Sequence, residues 1–530
     1  MRANAVLPVP GRAAALLALC VAAACARAAP PAAPAPGEVK RVRIVHTSDV
    51  HGHLLPARPG WAAGREVGGA AVLAAHFDSA AARFAGPTLV LSSGDDLQGT
   101  VVSNLSFGRA AVAAHNAAGY DAAALGNHEF DWGQDTLRAR IRESRFPWLA
   151  ANLYAAAADT QPAWAKGWVM LERGGVRTAV VGIALPATPQ VVLAGRVEGL
   201  SFGPAAPAAA RAAREARAAG ADFVVAVMHV GAECREPGSA PEEESAGCEG
   251  EVLEAAASLS GLVDLVLGGH THKRVLTAAG GVPVSEPLNY GTAYGVTDLE
   301  RRGGTTRVAY RAVRTPFADE VAPDTGVARV VAEWSERVRP LADRAVAGFA
   351  AAMENPDRGE YPLGNLLADA HRRATGAEAS IVNNGSIRRA MPAGTVTWGM
   401  LYELQPFQNE LVKLEVTGAQ LREALEAGLD ERGRVNAHVS GLVVDYDPAA
   451  PQGSRIREIR RDDGRVVGEA DRVTLGLSEF VAGGGDRFTA LTRSRPARTG
   501  VVDLDAVIAH LTALPQPVRP PGVGRWRAVR

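Results

Sequence analysis

Short apolar runs of strand length recur through the first 300 residues, and five of them end on side chains that favour metals. VRIVHTS runs into Asp49 and His51, TLVLSSG into Asp95, YDAAALG into Asn127 and His128, FVVAVM into His229, and VDLVLGG into His270 and His272. Each run has the length and composition of a buried β-strand. Ligands of an open α/β sheet gather beyond the carboxyl ends of its strands. The pattern therefore predicts five separate segments converging on one cleft.

The pattern changes near residue 316. VARVVAEWSERVRPLADRAV is amphipathic at helical spacing and reads as a linker helix and hinge. GNLLADAHRRAT then opens a new core as a helix, IVNNGSIR is a strand entering a polar turn, and strand and helix signals alternate to about Leu511 with no metal-binding cluster and no internal repeat. The expected division is a first domain at 41–315, a linker at 316–345 and a second domain at 346–525.

The first residues read as a targeting segment. Arg2 and Arg12 flank the start, Ala13 to Ala24 is apolar but short for a bilayer span, and Ala26-Arg27-Ala28 fits a small-residue cleavage site. Residues 1–28 are expected to be a signal peptide and 29–40 a Pro/Ala-rich tether, giving a periplasmic or secreted protein. Cys25 offers the alternative of a lipid anchor. No later stretch is long and apolar enough for a transmembrane helix.

Composition narrows the partners. With 530 residues, 47% hydrophobic content and a net charge of −1, the chain is ordinary for a soluble protein with two or three cores. Near-zero charge argues against a nucleic-acid polymer as partner. Nearly all positive charge is arginine, which suits phosphate but is better explained by a GC-rich genome. Two cysteines lie beyond the amino-terminal segment, Cys234 and Cys248, and they bracket the acidic loop CREPGSAPEEESAGC. A disulfide closing it agrees with export. Two thiols on a metal are the alternative, and they lack the usual close spacing.

Carboxylates, imidazoles and one amide, without thiolate, suit zinc, manganese, iron or cobalt better than calcium. Seven candidates (Asp49, His51, Asp95, Asn127, His229, His270 and His272) exceed what one tetrahedral ion needs. They point to two divalent ions roughly 3.5–4 Å apart with Asp95 as the bridge. His128 and Asp131, three residues apart, can form an imidazole–carboxylate pair. The remaining seven of the twelve histidines, among them the nearby His53, read as ordinary packing or surface residues.

DVHGHL, GDDLQGT, GNHEFDWG, MHVG and GGHTH, in this order, resemble the blocks of the calcineurin-like metallophosphoesterase superfamily. The resemblance implies a β-sandwich flanked by helices. It places Asp49, His51, Asp95 and His272 on one metal and Asp95, Asn127, His229 and His270 on the other, with His128 and Asp131 as the catalytic dyad. His272 departs from the amide found there in some 5'-nucleotidases. LGNLLADA, NNGSIR, YELQPFQNELV, SGLVVDYD and FVAGGGDRF resemble the C-terminal domain of the 5'-nucleotidases and UDP-sugar hydrolases, a smaller α/β nucleotide-binding domain. This implies a base sandwiched between Phe407 and Phe480. Asn383, Asn409 and Asp486 would hold base or ribose and Arg388 would hold ribose or phosphate. Arg358 stands two residues before Glu360, where the family commonly has an arginine three before. The two resemblances together imply hydrolysis of nucleoside 5'-monophosphates by a metal-bound hydroxide, with UDP-sugars or diphosphates as further substrates. A thiosulfate-ester hydrolase of sulfur oxidation (the SoxB type), a 2',3'-cyclic-nucleotide phosphodiesterase with 3'-nucleotidase activity, and a silent nucleotide-binding protein are the competing readings.

Overall fold

The computed structural model describes residues 39–356 and 358–529. The expected signal peptide, the tether up to residue 38 and Cys25 lie outside the described residues. Two six-stranded sheets stack face to face. In the first, the parallel strands Val39–Thr47, Thr88–Ser92, Ala122–Ala124 and Trp148–Leu149 are joined on one side by the antiparallel pair Tyr294–Arg302 and Thr305–Arg314. The second runs Arg274–Ala279, Val282–Pro287, Leu265–Leu267, Phe223–Met228, Val176–Ile183 and Trp168–Arg173, with four parallel strands at its centre.

Strands covered on both faces should be apolar throughout rather than alternating. Phe223–Met228 is buried at every position. Ile44, Leu89, Leu91, Phe223, Val225 and Leu267 fill the layer between the sheets. Helices Ala70–Ala82 and Arg109–Ala118 cover the outside of the first sheet, and the alanine-rich helix Ala205–Ala218 with Glu251–Ser258 covers the second. Small side chains let these helices lie close to the strands. The result is the helix-flanked β-sandwich expected from the motifs.

The linker helix runs over Thr325–Ala342, shorter than the 316–345 stretch. Pro323 precedes it and Asp324 caps it, accepting a 2.7 Å bond from the Val327 N–H. Its Val327 and Val331 are buried in the first domain's core, Val338 packs on both cores, and Ala342 packs on the second domain's. The second domain carries a five-stranded sheet and a three-stranded one. Its last strand, Trp526–Ala528, returns to pair with Leu442–Tyr446, so this fold closes beyond residue 525. Cys234 and Cys248 form a disulfide across the hairpin Glu233–Glu236 and Ala246–Glu249.

Candidate metal centre and the cleft beside it

The strand ends converge as their pattern predicts. One group of metal-capable side chains comprises Asp49, His51 and His272, and a second comprises Asp95, His229 and His270; within each, the ligand atoms lie within 4.8 Å of one another. Asp49, His51, Asp95, Asn127 and His229 are all at most 2% exposed. Backbone carbonyls fix the imidazoles. His51 Nδ1 bonds Gln98 O at 2.7 Å and His229 Nδ1 bonds Ser93 O at 2.8 Å. Donating from Nδ1 leaves the Nε2 lone pair facing inward, the arrangement typical of a ligating histidine.

These inward atoms match one another poorly and match cations well. His51 Nε2 and His272 Nε2 lie 3.2 Å apart, His229 Nε2 lies 3.0 Å from Asp95 Oδ2, and buried Asn127 Oδ1 has no hydrogen-bond partner. Burial disfavours a charge on His229, yet Asp95 and Asp49 outweigh it and push its pKa up to about 10, so its Nε2 holds a proton beside Asp95 that a bound cation would displace. The carboxylates thus draw positive charge into the site. Oxygen and nitrogen donors in two groups fit two divalent ions.

His128 sits between these groups and the second domain. Its Nδ1 is 2.8 Å from Asp131 Oδ2, and its backbone N–H donates to Asp95 Oδ1 at 2.8 Å. Burial pulls the imidazole pKa down, but Asp131 and Asp95 prevail and the net shift is upward. His53 bonds the carbonyls of Val50 and His51 and stacks on Tyr290 at 4.2 Å.

The second domain reaches this centre. The Phe407 ring lies 5.6 Å from His128 at 29° between planes, and Arg388 Nη2 lies 3.3 Å from His51 Nε2. Asn383 Nδ2 donates to Asp486 Oδ2 at 2.6 Å. Asn409 is held through its backbone, its N–H donating to Asp503 and its carbonyl accepting the Asp503 N–H. Phe480, half-buried, packs on the second domain's core. Arg358 stands 3.4 Å from Asp430.

Residues that the motif reading passed over hold the loops in place. Glu129 accepts backbone N–H groups from Asp95, Asp96, Leu97 and Gly126, and Glu286 accepts from Thr271 Oγ1 and the Lys273 and Ala232 N–H groups. Tyr290 edges onto both His51 and His272 and donates to Arg388 O at 3.4 Å. Only Glu129 had a signal in the sequence, as the carboxylate inside GNHE beside two proposed site residues. A separate cavity of about 620 Å³, lined by Asp369, Arg372, His510 and Arg519, shares no residue with the centre.

Residues 42–274 match the family model for calcineurin-like phosphoesterase, and residues 341–493 match that for the 5'-nucleotidase C-terminal domain. The chain belongs to the 5'-nucleotidase family of calcineurin-like phosphoesterases. Membership makes it a metal-dependent phosphoester hydrolase. It is similar to Protein UshA of Yersinia enterocolitica, 24% identical over 517 residues that span 89% of this chain and 90% of the relative. A 5'-nucleotidase precursor from Thermus thermophilus superposes with a TM-score of 0.81 at 26% identity, covering 92% of this chain and 99% of that one. The sulfate thiohydrolase SoxB of Thermus thermophilus superposes at 0.74 with 21% identity, covering 94% and 98%, a likeness of fold alone. Of another curated relative, Endonuclease YhcR of Bacillus subtilis, the chain spans 36% of the length, at 26% identity over 451 residues that make up 81% of this chain.

Proposed function

We propose that this member of the 5'-nucleotidase family is an exported enzyme that hydrolyses nucleoside 5'-monophosphates and accepts UDP-sugars or nucleoside diphosphates by the same chemistry. The observation that carries the reading is the approach of Phe407 to His128. It sets an aromatic platform from one domain beside the charge-handling centre of the other. A planar base stacked on such a platform gains about 1–3 kcal/mol. That energy, drawn from a remote part of the substrate, orients the ester at the reacting end. A thiosulfate ester offers no base for the platform.

Asp49, His51, Asp95 and His272 would hold one divalent ion, zinc or manganese, and Asp95, Asn127, His229 and His270 the other. When bound, the pair supplies Lewis-acid polarisation of the phosphoryl oxygens and activation of the attacking water. Asp131 fixes the His128 ring, and the protonated imidazole stabilises charge on the phosphoryl group or gives its proton to the leaving oxygen. Arg388 turns from His51 to an anionic oxygen of the substrate. Phe480 closes the other face of the base, with Asn383, Asn409 and Asp486 at its edge or on the ribose, and Arg358 is the outermost contact. The disulfide between Cys234 and Cys248 supports an oxidising compartment, and no helix among the described residues is long and apolar enough to cross a membrane.

Phosphate release from AMP, UDP-glucose, cyclic AMP and bis-p-nitrophenyl phosphate, with manganese or zinc added, tests this beside sulfate release from an organic thiosulfate. AMP turnover is expected, reduced about 10²–10⁴-fold in His128→Ala and unchanged within about twofold in His53→Ala. Sulfate release with AMP untouched would overturn the reading.

A further inference from the structure

We propose that Asn104 is a positioning residue that couples nucleoside recognition to the metal centre, a role that rests on the nucleotidase reading above. The segment Gln98–Asn104, shortly after Asp95, reads QGTVVSN, and its ends serve different domains. The Gln98 carbonyl takes the His51 Nδ1 bond at 2.7 Å. The next N–H, of Gly99, donates to Asn104 Oδ1 at 2.7 Å. Asn104 Nδ2 then donates to the carbonyl of Pro406 at 3.2 Å, a residue of the second domain and the immediate neighbour of Phe407. From the His51 ring to the ring stacked on His128, every link is a hydrogen bond or a step along the chain.

The residue types suit this task. An asparagine amide offers a donor and an acceptor a fixed distance apart, so it serves Gly99 and Pro406 together; a carboxylate would serve only Gly99. Asn104 is 3% exposed, and an unmade bond there would not be replaced by water. Gly99 is required as well, because a Cβ at that position would meet the His51 carbonyl oxygen at 2.2 Å. Displacement of the Phe407 loop by a base is therefore felt at Gly99 and, through Gln98, at the His51 imidazole.

Asn104→Asp keeps the acceptor for Gly99 and removes the donor to Pro406, which separates the two halves of the link. It is expected to raise KM for AMP about tenfold. Hydrolysis of p-nitrophenyl phosphate, which carries no base to stack, should stay within about twofold of wild type, with metal content and melting temperature retained. Equal losses on both substrates, or no change on AMP, would overturn the proposal. Wild-type protein inert to AMP would instead overturn the substrate reading. The link is then read without substrate by X-ray scattering, where Asn104→Asp should be more extended than wild type and an identical profile would refute the coupling.

Discussion

On the metal side of the cleft, Asp49, His51, Asp95, His270 and His272 all hold positive φ, between 48° and 78°; Glu129 ties the Asp95 loop through backbone N–H groups, Glu286 ties the His270–His272 loop through Thr271 Oγ1 and the Lys273 N–H, and the Asp49 and His51 N–H groups donate to the carbonyls of Gly94 and Asp95. On the other side, Phe407, Phe480 and Arg388 are only partly buried, and their loops are held by bonds such as Asn409 to Asp503 and Glu410 N–H to Glu479. Left-handed backbone costs on the order of 1–3 kcal/mol per residue and persists only where its surroundings over-determine it. The recognition side uses the same device at fewer positions, Gln408, Asp486 and Arg487, so the metal side is the more fully set before any substrate arrives, whereas the partly exposed rings opposite sit on loops with more room to give way. Chemistry needs fixed distances, while recognition of a flexible nucleotide tolerates adjustment.

The comparison breaks first at Asp95. Asp95→Asn removes the carboxylate proposed to bridge the two groups of ligands and should cost about 10³-fold in kcat/KM on every ester, with metal content measured by plasma mass spectrometry falling in parallel. Full activity with full metal content would refute a rigid two-ion centre. A smaller effect is expected opposite. Phe407→Ala and Phe480→Ala should each raise KM for AMP by about 5–150-fold, matching about 1–3 kcal/mol of stacking, and leave p-nitrophenyl phosphate within about twofold. Equal damage to both substrates would show that Phe407 serves mainly to pack His128.

The mildest test concerns the support of the recognition loop. Burial raises the Asp503 pKa to about 7 from an ordinary value of 3.8. The native state therefore binds this proton more tightly than the unfolded chain. The stabilisation is complete below pH 4 and is lost as pH rises through 7. Melting temperature should fall by a few degrees between pH 5 and pH 8, and Asp503→Asn should flatten that slope. An unchanged slope in the variant would mean that Asp503 ionises freely in the fold.

Legibility followed the same division. The sandwich strands were readable because burial on both faces leaves continuous apolar runs, even in the three alanines of Ala122–Ala124, and strand ends announced the clustered Asp and His residues. The linker helix was legible from its periodicity, which begins at Val327, within two residues of the start that the Asp324 cap sets at Thr325. Glu129, Glu286 and Asn104 escaped notice for a physical reason. Each has at least one partner in a loop distant in sequence, Asp95 for Glu129, Ala232 for Glu286 and Pro406 for Asn104, and no spacing rule encodes such partners, so Glu129 was marked only by its place inside GNHE. The strand at Trp526–Ala528 was missed likewise, because it pairs with residues some eighty positions earlier.

The handedness of the backbone at five of the proposed ligands restricts what evolution or engineering can place there. Asparagine, aspartate, histidine and glycine tolerate that conformation, and β-branched residues resist it. Chain geometry thereby selects an alphabet of short oxygen and nitrogen donors, so exchanging one cation for another is open to Asp–Asn–His swaps and closed to most other letters.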